Sequence, residues 1–452
     1  MINEIVESAS NKSLTTLHSH SIKIKTGKKD GFETRIDFIK YLLLNKELDP
    51  IINLDDTSTE NFINKKNDIE NDSGGSYDTR FTLKKKIHNF EKIITQIGGK
   101  LMYIKSGTTG HTFKGIANEN GVEYEYAVKV VAFPKKDSYG NIYDSRRPEN
   151  AELMMIKLLS YFIINKHTPH IVLPIGTFNT DISIFTDLIK DDFIDKSNEK
   201  YNEFVENYKN NAYYNEVSIL ISEWANRGDL LDFIRKNYKK FEPKHWKVIF
   251  FQIISVLAII QSKFPAFRHN DLKANNILVH KIEKKTGKSK YNIVGTTYKV
   301  PNIGYHIKLW DFDFACIPGI IDNEKVSQTW AKSINIVPEQ NKYYDMHYFF
   351  NTLIKKSFFP QFLTDNHIPK ETQDFLARIV PKELRSGVNV HKRGRILLKD
   401  EILLPENVLK LDPYFEEFRN NKKKIYSNTP DSKKLLKNND ILDMNEIMKL
   451  LN

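Results

Sequence analysis

His269-Asn270-Asp271-Leu272-Lys273-Ala274-Asn275-Asn276, followed downstream by Asp311-Phe312-Asp313, is the stretch on which the reading of this chain turns. It sets one carboxylate, one lysine, one carboxamide and a second carboxylate in a fixed order. Asp271 can orient a hydroxyl and take its proton. Asn276 and Asp311 offer hard oxygens of the kind Mg²⁺ prefers. Lys273 can neutralise charge on a phosphate in transit. The order and approximate spacing are those that phosphoryl transfer requires.

Working outward, Lys105-Ser106-Gly107-Thr108-Thr109-Gly110 contains two glycines whose backbone can approach an anion without a Cβ in the way. Tyr126-Ala127-Val128-Lys129-Val130-Val131 has strand character, with Lys129 projecting from it. A lysine gripping phosphates needs a carboxylate to hold it. A helical pattern beginning at Pro148 offers Glu149 and Glu152, of which Glu152 suits the apolar spacing that follows. Val217 to Ser222 is a second strand-like run, leading into Glu223-Trp224-Ala225-Asn226-Arg227-Gly228-Asp229. Trp246 to Ile260 is apolar nearly all round, interrupted by Gln252. It falls short of the roughly 20 residues a bilayer crossing needs and is expected to be a core helix. Ile336-Val337-Pro338-Glu339 and Asn341-Lys342-Tyr343-Tyr344-Asp345 complete the ordered set.

Over about residues 95–418 these features resemble a eukaryotic-type serine/threonine protein kinase. The Asp-Phe-Asp and the Tyr-Tyr-Asp-x-His-x-Phe-Phe segment are also similar to kinases of large cytoplasmic DNA viruses, such as those of poxviruses. The resemblance implies an α+β, two-lobed kinase-like fold, with a small β-rich N-lobe and a larger α-helical C-lobe. The expected organisation is a largely disordered or loosely packed extension over 1–85, with one short helix at Ile36–Leu44 and a flexible linker at 72–76, then N-lobe and hinge over 95–225, C-lobe over 226–418 and a tail over 419–452 that ends in a short amphipathic helix. It further implies transfer of the γ-phosphoryl of ATP to protein Ser or Thr hydroxyls. In that scheme Asp271 and Lys273 are catalytic, and Asn276 and Asp311 hold Mg²⁺ (or Mn²⁺). ATP is bound by Gly107, Gly110, Lys129, Glu152, Glu223, Ala225 and Asp229. Asp345 would brace the backbone of the catalytic loop.

The chain departs from the family pattern at four places. Lys105 stands where the first loop glycine is usual. Asn270 replaces the arginine of H-R-D, which ordinarily meets an activation-segment phosphate; its absence predicts activity without such a phosphate. Asp313 replaces the glycine of D-F-G, which predicts either a segment that flips less readily or a third carboxylate near the metal. The stretch between Asn276 and Asp311 is long, and Lys281–Lys290 reads as a basic surface insertion at a hairpin tip.

Hydrophobic residues are 40% of the 452, enough for sizeable cores, and the net charge is +11. That charge favours acidic partners and leaves nucleic acid among the candidates, without a specific motif for it. One cysteine rules out an intrachain disulfide and suits a reducing, cytoplasmic compartment or a virion-associated protein. Two other classes stay open on sequence: a small-molecule kinase of the aminoglycoside or choline type, and an inactive kinase-like scaffold. Against the first stand Lys273, Pro338-Glu339 and Asp345.

Overall fold

The computed structural model describes residues 6–7, 32–52, 83, 85–98, 100–107, 110–119, 122–189, 193–284 and 286–419. The linker expected at 72–76 and the short amphipathic helix expected in the C-terminal tail lie outside these residues. The chain divides into a sheet-based unit 1, Met1–Ile164 with Val172–Trp224, and a helix-rich unit 2, Asn165–Ile171 with Ala225–Asn452.

Unit 1 opens with helix α1 (Phe32–Leu43), close to the helix expected at Ile36–Leu44. Ile39, Leu42, Leu48 and Ile52 are buried. Residues 32–52 are therefore packed into the unit, which corrects the expectation of a loose extension for that stretch. Helix α2 (Phe90–Ile97) buries Phe90, Ile93, Ile94 and Ile97, an i, i+3, i+4, i+7 stripe. Asn89 caps it by accepting from the Lys92 N–H at 2.8 Å, and Gly98 ends it at φ +82°.

Strands β1 (Lys100–Ser106), β2 (His111–Glu119), β3 (Val122–Pro134), β4 (Pro174–Asp181) and β5 (Tyr213–Glu223) join the two-residue strand Val6–Glu7 in one sheet. The order is Val6–Glu7, β1, β2, β3, β5, β4. β3 lies between β2 and β5, so both its faces are buried: Tyr126, Val128 and Val130 on one, Ala127, Lys129 and Val131 on the other. Helix α3 (Pro148–Ile164) begins on Pro148 and buries Leu153, Ile156, Leu158, Leu159 and Phe162. Each fully buried side chain of this size contributes about 1.5–3 kcal/mol. Helix α4 (Glu199–Lys209) sets Tyr201 and Phe204 against His111, each with ring centroids 4.5 Å from the imidazole.

Unit 2 is organised on helix α6 (Pro243–Lys263), preceded by α5 (Leu230–Asn237). α6 has the length and composition of a membrane span, but it is mostly buried inside the fold. Gln252, the polar break in its apolar run, is used rather than tolerated. Its amide donates to Tyr305 O at 3.1 Å and accepts from Ile307 N at 2.9 Å, acting as a neighbouring strand for β9 (Tyr305–Leu309). β9 pairs antiparallel with β6 (Ile277–Lys281). Between them stands a second hairpin, β7 (Lys288–Ile293) with β8 (Thr296–Pro301), which buries Tyr291, Ile293, Tyr298 and Val300. The described residues of Lys281–Lys290 lie at the surface, as expected of an insertion at a hairpin tip; the buried side chains come from the part of the hairpin that follows. Helices α7 (Tyr344–Leu353), α8 (Lys370–Ile379) and α9 (Pro405–Leu411) complete the unit.

Two consequences are measurable. A Cβ on Gly115 would lie 2.1 Å from the ring of fully buried Tyr126 on the paired strand. Gly115→Ala is therefore expected to destabilise by about 1–3 kcal/mol in denaturant unfolding, the usual overpacking range; unchanged stability refutes the clash. Burial also pushes the imidazoles of His111 and His347 down to about 4. Unfolded, each binds a proton near pH 6.5; folded, only near 4. Their contribution is complete above about pH 6.5 and falls by up to about 1.4 kcal/mol each per pH unit as the pH drops toward 4. The melting temperature should fall from pH 7.5 to 5.0, and less steeply in His111→Phe. Parallel profiles for the two proteins would exclude His111 as a source.

Candidate active site

The β6–β9 ribbon sets the site of unit 2. Its register places Ile277 opposite Leu309. Asn276 directly precedes Ile277, and Asp311 lies two residues beyond Leu309, so both sit at the same end of the ribbon. Asp311 takes φ +64°, a left-handed conformation that costs a non-glycine residue about 1–2 kcal/mol and that Asp tolerates better than most. The turn is tied to the catalytic loop, where His269 Nε2 donates to Trp310 O at 3.0 Å.

The loop itself hangs on α7. Asp345 is fully buried and accepts from His269 N at 2.7 Å and from Asn270 N at 2.9 Å, the brace expected of it. Burial raises its carboxyl, while His269, Arg268 and these two N–H donors act in the opposite sense. Asn270 is also left-handed, at φ +64°. Its amide donates inward to Phe314 O at 3.1 Å, so this side chain replaces an arginine with a backbone clamp.

Asp271 is 7% exposed, and both its oxygens are engaged. Oδ2 pairs with Lys273 Nζ at 2.8 Å and accepts from Asn276 Nδ2 at 3.0 Å. Asn276 Nδ2 also donates to Asp271 O at 3.0 Å, which leaves the amide oxygen as the Asn276 atom able to face a cation. Oδ1 accepts from Arg395 Nη2 at 2.6 Å and from Tyr348 OH at 3.4 Å. Sequence reasoning missed Arg395, because His391-Lys392-Arg393-Gly394-Arg395 reads as a solvated basic run. Tyr348 had a signal: three residues after Asp345 on one helix, it shares that face.

Asp313 is a correction. It is not among the residues with positive φ, so a Cβ costs nothing there, and its carboxylate pairs with Lys325 rather than standing by as a third metal ligand. Asn323 donates to Asp313 O at 2.9 Å and to Ala315 O at 3.2 Å. Arg268, also missed, is 2% exposed; it donates to Asn335 O at 2.9 Å and Glu339 O at 3.2 Å and lies 3.6 Å from the centroid of the Tyr344 ring. The 311–339 segment is thus held by side chains of the chain itself. Among the described residues no three His, Cys, Asp or Glu side chains gather as a metal site. A pair of hard oxygens from Asn276 and Asp311 suits Mg²⁺, which takes few protein ligands and completes its shell with water and phosphate.

In unit 1, Lys129 Nζ donates to Glu152 Oε1 at 2.6 Å, with both side chains under 10% exposed. Glu149 is instead bound by Arg147 at 3.0 Å. Gly107 N donates to Gly110 O at 2.7 Å, closing the β1–β2 turn; a Cβ on Gly110 would come within 2.5 Å of Val130 O. Glu223 has other duties than the sequence suggests: its carboxylate binds Arg35 of α1 and accepts from Leu173 N at 2.7 Å, and its N–H donates to Leu173 O at 3.0 Å. In unit 2, Ala225 is buried, and Asp229 is the N-cap of α5, accepting from Asp232 N at 3.0 Å, which gives it a structural role.

Comparison with known proteins identifies the family. The family described as poxvirus serine/threonine protein kinase matches residues 130–392. The R400 protein of Acanthamoeba polyphaga mimivirus, which carries a serine/threonine-protein kinase designation, is 46% identical over 425 residues, 92% of this chain and 87% of its own. Serine/threonine-protein kinase 2 of fowlpox virus (strain NVSL) is 30% identical over 210 residues, 44% of this chain and 43% of its own. With the match spanning more than half its length, the chain belongs to the poxvirus serine/threonine protein kinase family.

Proposed function

We propose that the protein transfers the γ-phosphoryl of ATP to Ser or Thr hydroxyls of protein substrates, with units 1 and 2 serving as the two lobes of a kinase. The observation that carries this reading is the sharing of Asp271 Oδ2 between Lys273 at 2.8 Å and Asn276 at 3.0 Å. Such a carboxylate is oriented rather than free. It receives the acceptor hydroxyl in one direction and takes its proton as the oxygen attacks. Lys273, 25% exposed at its side chain, can lean from Asp271 to the phosphoryl group in transit. Lys129, steadied by Glu152, neutralises the phosphates that do not move. Mg²⁺ held by Asp311 and Asn276 would offset charge on the phosphate oxygens. Glycines 107 and 110 keep the β1–β2 turn low over the nucleotide. The buried thiol of Cys316, which burial raises to about 12, is inert and consistent with work in a reducing compartment, including the host cytoplasm or a virion.

The decisive assay is Mg-ATP with mixed protein substrates and, in parallel, small alcohols. Lys129→Met and Asp271→Asn are each expected to lower kcat by at least about 100-fold, the scale of a lost general base or phosphate contact. Turnover near that of the wild type in both overturns the assignment. Asp271→Ala carries an added penalty. It strands the Arg395 guanidinium, 5% exposed, and breaking a buried pair costs about 3–5 kcal/mol. Its melting temperature should lie well below that of Asp271→Asn.

Because Arg268, Asn270, Asn323 and Lys325 already anchor the 311–339 segment, exhaustive phosphatase treatment should leave kcat within about twofold, less than 0.5 kcal/mol of barrier. A large loss would mean that a phosphate completes the segment.

A further inference from the structure

Arg395 grips the proposed base from the side opposite Lys273 and Asn276. Its Nη2 donates to Asp271 Oδ1 at 2.6 Å, and its guanidinium carbon lies 4.4 Å from the centroid of the Tyr348 ring. The surrounding chain is built to place it. Residues 390–396 form a tight turn closed by the Val390–Ile396 bridge, with His391 N donating to Arg395 O at 2.8 Å. The carbonyls on either side of Arg395 are each held by an asparagine amide: Gly394 O by Asn351 of α7 at 2.9 Å, and Ile396 O by Asn335 of the 311–339 segment.

Stability alone is a poor reason for this arrangement. Arg395 Nε is buried and has no hydrogen-bond partner among the described residues. A buried ion pair with donors left over is commonly matched or bettered by apolar side chains of the same volume. What it does supply is orientation. A carboxylate turns readily about its terminal bond. Lys273 is 25% exposed at its side chain and in the proposed reaction leans from Asp271 toward the phosphoryl group, whereas Arg395, at 6%, is placed to hold Oδ1 throughout, beside the Asn276 contact on Oδ2.

We propose that Arg395 is a positioning residue for phosphoryl transfer. It pins Asp271 Oδ1, with the Tyr348 hydroxyl beside it, so that Oδ2 stays presented to the acceptor hydroxyl while Lys273 leaves it. The inference rests on Asp271 being the base. Arg395 and Asp271 lie 124 positions apart, so the contact is a contribution of the tertiary fold, joined through Asn335 to the 311–339 segment.

The test is steady-state kinetics on the full chain with Mg-ATP and two protein substrates, dephosphorylated casein and histone, for the wild type, Arg395→Met, Arg395→Lys and Asp271→Asn. Arg395→Met is expected to lower kcat about 10- to 100-fold, as a loosened reacting group does, with KM for ATP within about twofold. Arg395→Lys, which restores a cation on the same oxygen, should recover at least about threefold of that loss. If the methionine variant does not fold, Arg395→Gln, which keeps a neutral donor, replaces it under the same limits. An Arg395→Met kcat within about threefold of the wild type, beside an Asp271→Asn that is nearly dead, overturns this inference alone. So does a methionine variant whose lost activity matches its lost folded fraction and which lysine does not improve. If Asp271→Asn turns over like the wild type, the reading of Asp271 fails and the inference falls with it.

Discussion

The buried carboxylate of Asp345 and the two backbone N–H groups it accepts from carry the candidate active site of unit 2. They hold Asn270 left-handed, together with the bond from its amide to Phe314 O. The conformation is uphill for a residue with a Cβ, and it persists because leaving it would strand a buried carboxylate and two donors, each at about 1–3 kcal/mol. With Asn270 turned back, its amide reaches Phe314 O and the Asp271 side chain is delivered to the side of the loop where Lys273, Asn276 and Arg395 meet it. One carboxylate on α7 thus sets the direction of another, the one proposed as the base.

The segment from Asp311 to Glu339 follows the same logic. In a chain with an arginine at position 270, a phosphate would be the natural counter-charge. Here neutral amides and one internal ion pair stand in its place. Arg268, two residues earlier, has turned its guanidinium to main-chain carbonyls and an aromatic face. Asp313 has acquired Lys325 as its partner. Burying each of these charges costs desolvation, and each is matched by partners on the spot, which makes the segment's conformation a property of the folded chain.

Unit 1 shows a related economy of charge. The Lys129–Glu152 pair is buried and contributes little net stability, since the Coulomb gain is largely cancelled by dehydration. Its value is geometric: an ammonium held at a known place on an inner strand. At the end of β5, Glu223 is fixed by Arg35 and Leu173, so helix α1, remote in sequence, is fastened to the last residues of unit 1. That fastening, together with the buried Ile39, Leu42 and Leu48, accounts for the order of a stretch whose polar composition suggests none.

Periodicity and spacing determined most of the elements. The apolar run of α6, the Pro148 start of α3, the strand bearing Lys129 and the order Asp271, Lys273, Asn276, Asp311 are local facts, set by side-chain type over a few residues. The tertiary structure decided which charges meet. The sequence favours Glu152 over Glu149 as the partner of Lys129, and the fold makes that pair, but that Glu149 goes to Arg147 is not legible in it. Asp313, for which a place near the metal is one of two expectations, pairs with Lys325 twelve residues on, and Arg395 carries no local signal of its partner. Electrostatic partners are chosen at distances of a few ångströms between residues far apart in the chain. That information exists only once the backbone has folded and water has been excluded.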